Sequence, residues 1–197
     1  AGAPRRDERF ITHAPLIIGD NVIVGVSGGE YGIRGHVTAY NAMTGEQTWR
    51  WYSIPAPKGD PTFDPIAPNG WWGTWPTHTA DGADLNRGVA AEKADSAKYA
   101  DAWTRGGGGI WMTPAYDKAL NMIYVAVGNP SPDLDGAVRP GDNLYTCSFV
   151  ALDAEAEEAG EGILRHARGE ALQVRRGERG QVVGRQGKGR GVRVGHN

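Results

Sequence analysis

Three glycine-rich segments of this chain each carry one residue suited to binding a metal ion or a planar cofactor. Residues 25–35 present the carboxylate of Glu30 in a dense glycine turn. In residues 105–111 a run of glycines precedes Trp111, and in residues 127–133 Asn129 is followed directly by a proline. Glycine lacks a Cβ and tolerates positive φ, so each segment allows its backbone to approach a bound group closely.

The chemistry offered by these residues is metal coordination and ring stacking. Hard cations such as Ca²⁺ take mixed carboxylate and amide oxygens, and an indole preceded by glycine can lie flat against a planar ligand. Each residue also has a simpler interpretation. In these interpretations Glu30 would be a solvated carboxylate paired with Arg34, Trp111 would be a core residue, and Asn129 would belong to a common Asn-Pro turn. Because all three segments follow or open predicted strands at corresponding ends, we expect one face of the fold to gather them.

Strands near the N-terminus are predicted in quick succession. Apolar, β-branched runs at residues 14–18 and 22–26 flank a Gly-Asp-Asn turn, which is typical of a hairpin. Further runs at residues 36–40 and 47–52 are again separated by a turn. Four short antiparallel strands in a row describe one blade of a β-propeller.

A second blade is predicted after an interruption, with strands at residues 110–113, 122–127 and 146–152. The ends of the two third strands, at residues 39–45 and 151–157, resemble each other, as expected for a repeat architecture. The second copy lacks the Thr-Gly turn and the tryptophan after it. We therefore expect the second blade to lose its fourth strand.

The fold class predicted is all-β, a partial β-propeller of about two four-stranded antiparallel blades over residues 14–153, after a lead-in at residues 1–13. A long insertion, residues 53–105, separates the blades. Its early prolines exclude regular structure, whereas residues 84–103 allow a helix or two. Loops of this length inside a compact fold are usually functional or disordered. The tryptophans of the insertion predict a loop that packs over the propeller face rather than one that touches substrate.

The tail, residues 154–197, differs in composition from the rest of the chain. It contains no aromatic residue, and it carries 9 basic and 6 acidic residues against 12 and 17 in residues 1–153. Three interpretations compete: a disordered basic tail, an RNA-binding Gly/Arg segment, or a shift of reading frame. We favour the frame shift, because the blade pattern fails in mid-motif where the composition changes, and RNA-binding Gly/Arg segments usually interleave aromatics for base stacking.

The mildly acidic body argues against a nucleic-acid partner.

Other chemistry-bearing residues have structural interpretations. Cys147, the single cysteine, is expected to be a small buried residue of a strand. His36 and His78 are expected to be structural or surface groups. The aspartates after the Asn129 turn are expected to form turns: Asp133, Asp135 and Asp142.

Taken together, the motifs resemble those of the quinoprotein alcohol dehydrogenases. The likeness is carried by residues 27–35, 107–111 and 128–132, followed by residues 139–143, in the order and separation of that family. The resemblance implies an eight-bladed parent propeller, of which this chain supplies roughly two blades. It also implies the cofactor pyrroloquinoline quinone (PQQ) with bound calcium, a lanthanide being possible in its place.

Carried over position by position, the resemblance assigns site residues. It implies that Glu30 and Asn129 are metal ligands and that Trp111 stacks on one face of PQQ. Some members have a hydroxyl residue two before the tryptophan, where this chain has Gly109. The turn that contacts PQQ is implied to be formed by Ser27, Gly28 and Gly29.

The resemblance further implies oxidation of a primary or secondary alcohol to an aldehyde or ketone, with electrons passed to a cytochrome c or a quinone. The parent protein is expected in the periplasm, with membrane association possible, although residues 1–9 lack the apolar core of a signal peptide. The general-base aspartate and a disulfide of adjacent cysteines are expected on segments outside this chain, so the isolated chain is expected to be inactive. The alternative is a non-enzymatic propeller that serves as a binding or assembly scaffold.

Overall fold

The computed structural model of the chain contains two consecutive antiparallel sheets. It describes residues 10–79 and 81–154, together with the backbone of four short strands in the tail. The first sheet consists of neighbouring strands β1 (Leu16–Ile18), β2 (Asn21–Gly25), β3 (His36–Asn41) and β4 (Gln47–Tyr52). A two-residue turn joins β1 to β2, and Gly19 within it has φ 54°, which a side chain would disfavour. The predicted first blade is confirmed.

The second sheet has strand order β5 (Ala115–Asp117), β6 (Met122–Val127), β7 (Ser148–Asp153), β8 (Leu164–Ala167) and β9 (Gln173–Val174). All neighbours are antiparallel. The expectation that this blade loses its fourth strand was wrong for the backbone, since β8 occupies that place. The free edge of a strand offers unpaired N–H and C=O groups that can pair with an extended segment whatever its side chains.

The tail also contains β10 (Val182–Gly184) and β11 (Arg193–Gly195), which pair with each other as a separate two-stranded sheet. The remainder of the tail, and with it the choice between disorder, RNA binding and a frame shift, lies outside the described residues. The same holds for most of the predicted lead-in, of which residues 10–13 are described.

One predicted strand and one predicted burial were wrong. Residues 110–113 do not form a strand, because the N–H of Ile110 donates to the carbonyl of Val26 in the other blade, at 2.8 Å, rather than along the second sheet. The strand begins at Ala115 instead. Cys147 is exposed and lies just before β7 with φ 52°, a conformation that turns the chain into the strand rather than extending it.

The core lies between the two blades and follows from the alternation of each strand. In β6 the side chains of Ile123, Val125 and Val127 are buried, whereas those between them are partly exposed. They join a cluster that includes Ile23 and Trp51 of the first blade. Full burial of one such aliphatic side chain stabilises the fold by about 1.5–3 kcal/mol. The blades are therefore held together face to face by apolar contact.

The insertion packs against this core with little regular structure. Its helix α1 (Val89–Ser96) buries no residue, and short 3₁₀ turns lie at Gly70–Trp72 and Ala102–Arg105. Trp71 is fully buried with Ile54 and Ala102, which agrees with the prediction of a packed loop. Within the part of the chain that the structure describes, no helix is long and apolar enough to cross a membrane.

Candidate cofactor and metal site

The glycine run before Trp111 joins the other two glycine-rich segments. On one side, the N–H of Gly35 donates to the carbonyl of Gly107 at 2.8 Å. On the other side, the N–H of Gly108 donates to the carbonyl of Asn129, also at 2.8 Å. The N–H of Gly128 in turn donates to the carbonyl of Gly109 at 2.9 Å. These bonds bring together segments that are far apart in the sequence, as expected from their place at corresponding ends of the predicted strands.

Glycine is required where these segments touch. A Cβ on Gly35 would overlap the carbonyl oxygen of Gly108, and one on Gly107 would lie 2.6 Å from the backbone nitrogen of Ser131. A Cβ on Gly128 would lie 3.2 Å from Nε1 of Trp111. The glycines therefore serve contact between backbones as much as they serve access to a bound group.

Glu30 projects from a tight turn. It lies in the 3₁₀ turn Gly29–Tyr31, which is flanked by Gly28 at φ 102° and Gly32 at φ 81°. These positive φ values favour glycine and leave Glu30 exposed at the tip of the turn. The simpler interpretation, a pair with Arg34, is wrong: no ion pair joins them, and the Arg34 side chain donates to the carbonyl of Ile54 and to Thr62.

The partner of Glu30 is Asn129, 99 residues away in the sequence. Nδ2 of Asn129 donates to Oε1 of Glu30 at 2.7 Å and to the carbonyl of Pro130 at 3.1 Å. The structure thus brings together the two residues predicted to bind metal. Among the described residues, no group of three or more His, Cys, Asp and Glu side chains could hold a metal ion, and metal binding by Glu30 and Asn129 stays a prediction.

The donor set fits a hard cation. A carboxylate and an amide in contact at the surface supply oxygen ligands of the kind that Ca²⁺ prefers. A half-turn of the Asn129 amide about its Cβ–Cγ bond exchanges the positions of Oδ1 and Nδ2. Oδ1 then faces Glu30 in place of Nδ2. With a cation between them, both side chains would present oxygen.

Trp111 is 54% exposed, so it is not the core residue of the simpler interpretation. With glycine at positions 109 and 128 against it, its ring is crowded by no large side chain from these two positions. An open indole face of this kind fits a planar ring system. The exposure of Trp111 is compatible with stacking on PQQ, which stays a prediction.

Thr12 connects Trp111 to the turn predicted to contact PQQ. Its Oγ1 is hydrogen-bonded to Oγ of Ser27 at 2.8 Å and donates to the carbonyl of Trp111 at 3.0 Å. Sequence reasoning missed Thr12, because a single threonine outside any motif gives no signal. Ser27 and Gly28 lead into the turn that begins at Gly29 and carries Glu30. The role of these three residues in PQQ binding stays a prediction.

A cavity of about 450 Å³ opens beside Glu30. Arg105, directly before the glycine run, lines the cavity, and so do Ser131 and Pro132, which follow Asn129. Its walls are mainly aromatic and aliphatic, which suits an uncharged organic molecule. The full set of lining residues is Glu30, Tyr31, Gly32, Tyr99, Ala102, Arg105, Ser131, Pro132 and Val138.

The histidines and aspartates outside the candidate site were expected to be structural or surface groups or to form turns. His36 is buried on β3 and contacts the carbonyl of Arg34 at 3.0 Å, and His78 is exposed. Asp135 accepts from the N–H of Ala137 in a turn. Asp142 does more than form a turn, because its carboxylate accepts from two N–H groups of the insertion and from Arg87 at 2.6 Å.

Comparison with known proteins shows the family of the chain. A family model described as the PQQ glucose/ethanol/alcohol dehydrogenase β-propeller domain matches residues 2–159. Quinohemoprotein alcohol dehydrogenase of Comamonas testosteroni is 39% identical over 148 residues, which are 74% of this chain and 18% of that protein. Methanol dehydrogenase (cytochrome c) subunit 1 of Methylorubrum extorquens is 38% identical over 149 residues, 76% of this chain and 21% of that protein.

Solved structures agree in fold. The quinohemoprotein alcohol dehydrogenase ADHIIG from Pseudomonas putida HK5 superposes with a TM-score of 0.56 at 26% identity, over 88% of this chain and 27% of that one. A europium-containing methanol dehydrogenase gives a TM-score of 0.53 at 25% identity, over 88% of this chain and 33% of that one. The chain thus spans about a fifth of the length of the two curated relatives. Since the family model matches most of its residues, the chain belongs to the β-propeller family of PQQ glucose, ethanol and alcohol dehydrogenases.

Proposed function

We propose that this chain is part of a PQQ-dependent alcohol dehydrogenase that oxidises a primary or secondary alcohol to an aldehyde or ketone. The observation that carries the proposal is the 2.7 Å contact between Glu30 and Asn129. A scaffold needs the blade pattern alone. It has no need of a carboxylate and an amide in contact across 99 residues of sequence, beside an open tryptophan face.

The roles proposed for the residues follow from their side chains. Glu30 and Asn129 hold the cation through oxygen atoms, and Trp111 offers the flat surface on which the cofactor ring lies. The turn formed by Ser27, Gly28 and Gly29 brings backbone close to that ring. When bound, the quinone supplies a two-electron acceptor and the cation a Lewis acid that offsets developing negative charge.

The finer parts of the proposal draw support from the relatives. Calcium is proposed because the donor set is carboxylate and amide oxygen, and a lanthanide is an alternative because one structural neighbour is a europium-containing methanol dehydrogenase. A cytochrome c is proposed as the electron acceptor because one relative is named methanol dehydrogenase (cytochrome c), with a quinone as the alternative. A periplasmic location, with membrane association possible, and the absence of a nucleic-acid partner complete the proposal.

Trivalent terbium tests the metal site directly, because tryptophan near a bound Tb³⁺ sensitises its luminescence. We expect the chain to bind Tb³⁺ and to release it when Ca²⁺ is added in excess. Glu30→Gln removes one charged oxygen and is expected to weaken Tb³⁺ binding at least about tenfold, since ligand charge sets affinity in such sites. Asn129→Ala is expected to weaken it as well.

The matched control is Glu46→Gln, which neutralises another exposed turn carboxylate, one that accepts a hydrogen bond from Thr44 at 3.2 Å. This variant is expected to bind Tb³⁺ as the wild type does. Equal affinity in the wild type and Glu30→Gln would remove Glu30 from the site and with it the metal-binding part of the proposal.

The scaffold alternative differs in its response to PQQ. A cofactor ring on Trp111 is expected to quench tryptophan fluorescence when PQQ and Ca²⁺ are added, and Trp111→Phe is expected to lose most of that quenching. Trp75→Phe, which replaces a tryptophan of the insertion beside Arg87 and Lys93, controls for the loss of one fluorophore. Fluorescence unchanged at saturating PQQ would favour the scaffold.

A further inference from the structure

Arg34 lies between the turn that carries Glu30 and the insertion. Its Nε donates to the carbonyl of Ile54 at 2.8 Å, and its Nη1 donates to Oγ1 of Thr62 at 2.8 Å. Its guanidinium carbon lies 3.9 Å from the centre of the Tyr52 ring and 4.7 Å from that of Trp103. One side chain therefore contacts the end of β4, two points of the insertion and the turn before the glycine run.

The contacts of Arg34 lead directly to the glycine run. The Ile54 side chain packs so closely that a Cβ on Gly106 or on Gly108 would lie 2.9 Å from it. Trp103 lies in the 3₁₀ turn Ala102–Arg105, just before the same run. The backbone of Arg34 also forms a β-bridge with Gly107. Arg34 thus holds the run through its backbone, through Ile54 and through Trp103.

The glycine run in turn places the partners of Glu30. The N–H of Gly108 donates to the carbonyl of Asn129 at 2.8 Å, and Trp111 follows the run after Ile110. The distance between Glu30 and Asn129 depends on how the turn of Glu30 sits on this run. Arg34 is fixed at that junction.

The environment of Arg34 points to a geometric role rather than a stabilising one. Burial lowers the pKa of Arg34 to about 10, with only partial compensation from Tyr52 and Asp60. Its Nη2 is buried and has no hydrogen-bond partner among the described residues. A half-buried cation with an unsatisfied donor costs free energy that an apolar side chain would not.

We propose that Arg34 is a positioning residue: its forked, planar guanidinium sets the turn of Glu30 against the glycine run so that Glu30 and Asn129 meet at one cation. Arg34 does not touch the cation, and its charge is not what matters. The fork matters, because it reaches Ile54 and Thr62 at once while lying between two aromatic rings. The expected effect on cation binding rests on the proposed metal site, whereas the contacts of Arg34 do not depend on it.

Arg34→Lys tests the proposal because lysine keeps the charge and loses the planar fork. We expect this variant to bind Tb³⁺ about tenfold or more weakly than the wild type, as is usual when a residue that orients a metal ligand is replaced. Arg34→Met, which removes the charge as well, is expected to lose a similar amount. A large loss in Arg34→Met with wild-type affinity in Arg34→Lys would show that charge, not geometry, is at work and would overturn the proposal.

Arg50→Lys is the matched control. Arg50 is also half-buried, its Nε also donates to a threonine, Thr38, at 2.8 Å, and its guanidinium carbon lies 6.0 Å from the same Tyr52 ring. Among the described residues its side chain bonds to Thr38 and Tyr40 rather than to the turn of Glu30 or the glycine run, so its replacement is expected to leave Tb³⁺ affinity unchanged. Equal losses in Arg34→Lys and Arg50→Lys would reduce Arg34 to a general structural residue.

Amide hydrogen exchange, read by mass spectrometry without any metal, provides the second measurement. Arg34→Lys is expected to speed exchange in residues 28–35 and 105–111 while leaving residues 115–127 of the second blade unchanged. Exchange that is unchanged in the first two segments, or equally faster everywhere, would contradict the proposal. If the wild type binds no Tb³⁺, the proposed metal site fails, and this measurement still decides the role of Arg34.

Discussion

At the scale of single residues, the site depends on positions where a side chain is absent. Gly35, Gly107 and Gly108 let three backbone segments bond directly to one another. From the sequence, these glycines were expected to let the backbone approach a bound group closely. The structure shows that much of the space is taken by the chain itself.

Gly35→Ala is expected to destabilise the chain, because its new Cβ would overlap the carbonyl oxygen of Gly108. Overpacking of this kind lowers the free energy of unfolding by about 1–3 kcal/mol. Urea unfolding followed by tryptophan fluorescence measures the change.

The control for this change is Gly88→Ala, since a Cβ at Gly88 would meet nothing closer than Ala91 Cβ at 3.9 Å. Its effect is expected to remain within about 0.5 kcal/mol, as for most surface substitutions. A Gly35→Ala chain as stable as the wild type would mean that the two segments are not in contact.

At the scale of elements, the insertion is fastened by one arginine and two carboxylates. Arg87 donates to Glu92 of α1 at 2.7 Å and to Asp142 at 2.6 Å, and the N–H of Gly141 also donates to Glu92. The helix itself buries no residue. Its position is therefore set by these polar contacts rather than by an apolar face, which is why sequence reasoning allowed a helix here but did not predict its attachment.

Glu92→Gln tests this attachment through its pH dependence. The hydrogen bonds from Arg87 hold the pKa of Glu92 below its ordinary value. Its contribution is therefore present above the unfolded pKa and lost as the pH falls through the lower folded pKa. Glu92→Gln is expected to lower the free energy of unfolding by about 1 kcal/mol at neutral pH and by almost nothing near pH 2.

Asp95→Asn serves as the control on the same helix. Asp95 pairs with Lys98 at 2.7 Å, but both side chains are largely exposed, so water screens the pair. Little change is expected at either pH. A Glu92→Gln deficit that persists unchanged in acid would show that the carboxylate does not act through its ionised form.

At the scale of the whole molecule, we propose that the chain carries one side of a larger site. It spans about a fifth of the length of the two curated relatives, and its described residues bring together the two side chains proposed to bind metal, Glu30 and Asn129. Proton removal from an alcohol requires a positioned base, and the resemblance places the general-base aspartate outside this chain.

The purified 197-residue chain is therefore expected to show no PQQ- and alcohol-dependent dye reduction, even where it binds Tb³⁺. Dye reduction followed at saturating PQQ and Ca²⁺ measures this. Reduction that requires alcohol and disappears in Glu30→Gln would contradict the expectation and would mean that the described residues suffice for turnover.

Sequence alone determined the blades and the candidate ligands. Period-two alternation fixes which residues of β2 and β6 face the core, and the glycine segments identify Glu30, Trp111 and Asn129. Both are local patterns, and local patterns can be recognised in the sequence without knowledge of the fold. The same patterns failed at Ile110 and Cys147, where bonds to a distant segment and a left-handed turn took precedence over strand propensity.

Only the tertiary structure decided which groups meet. The contact of Glu30 with Asn129, the bonds of Thr12 to Ser27 and Trp111, and the reach of Arg34 to Ile54 all join residues that no spacing rule connects. They depend on how two blades and an insertion pack, and packing is set by the sum of many distant contacts. The sequence thus names the candidate ligands, and the fold brings them within bonding distance.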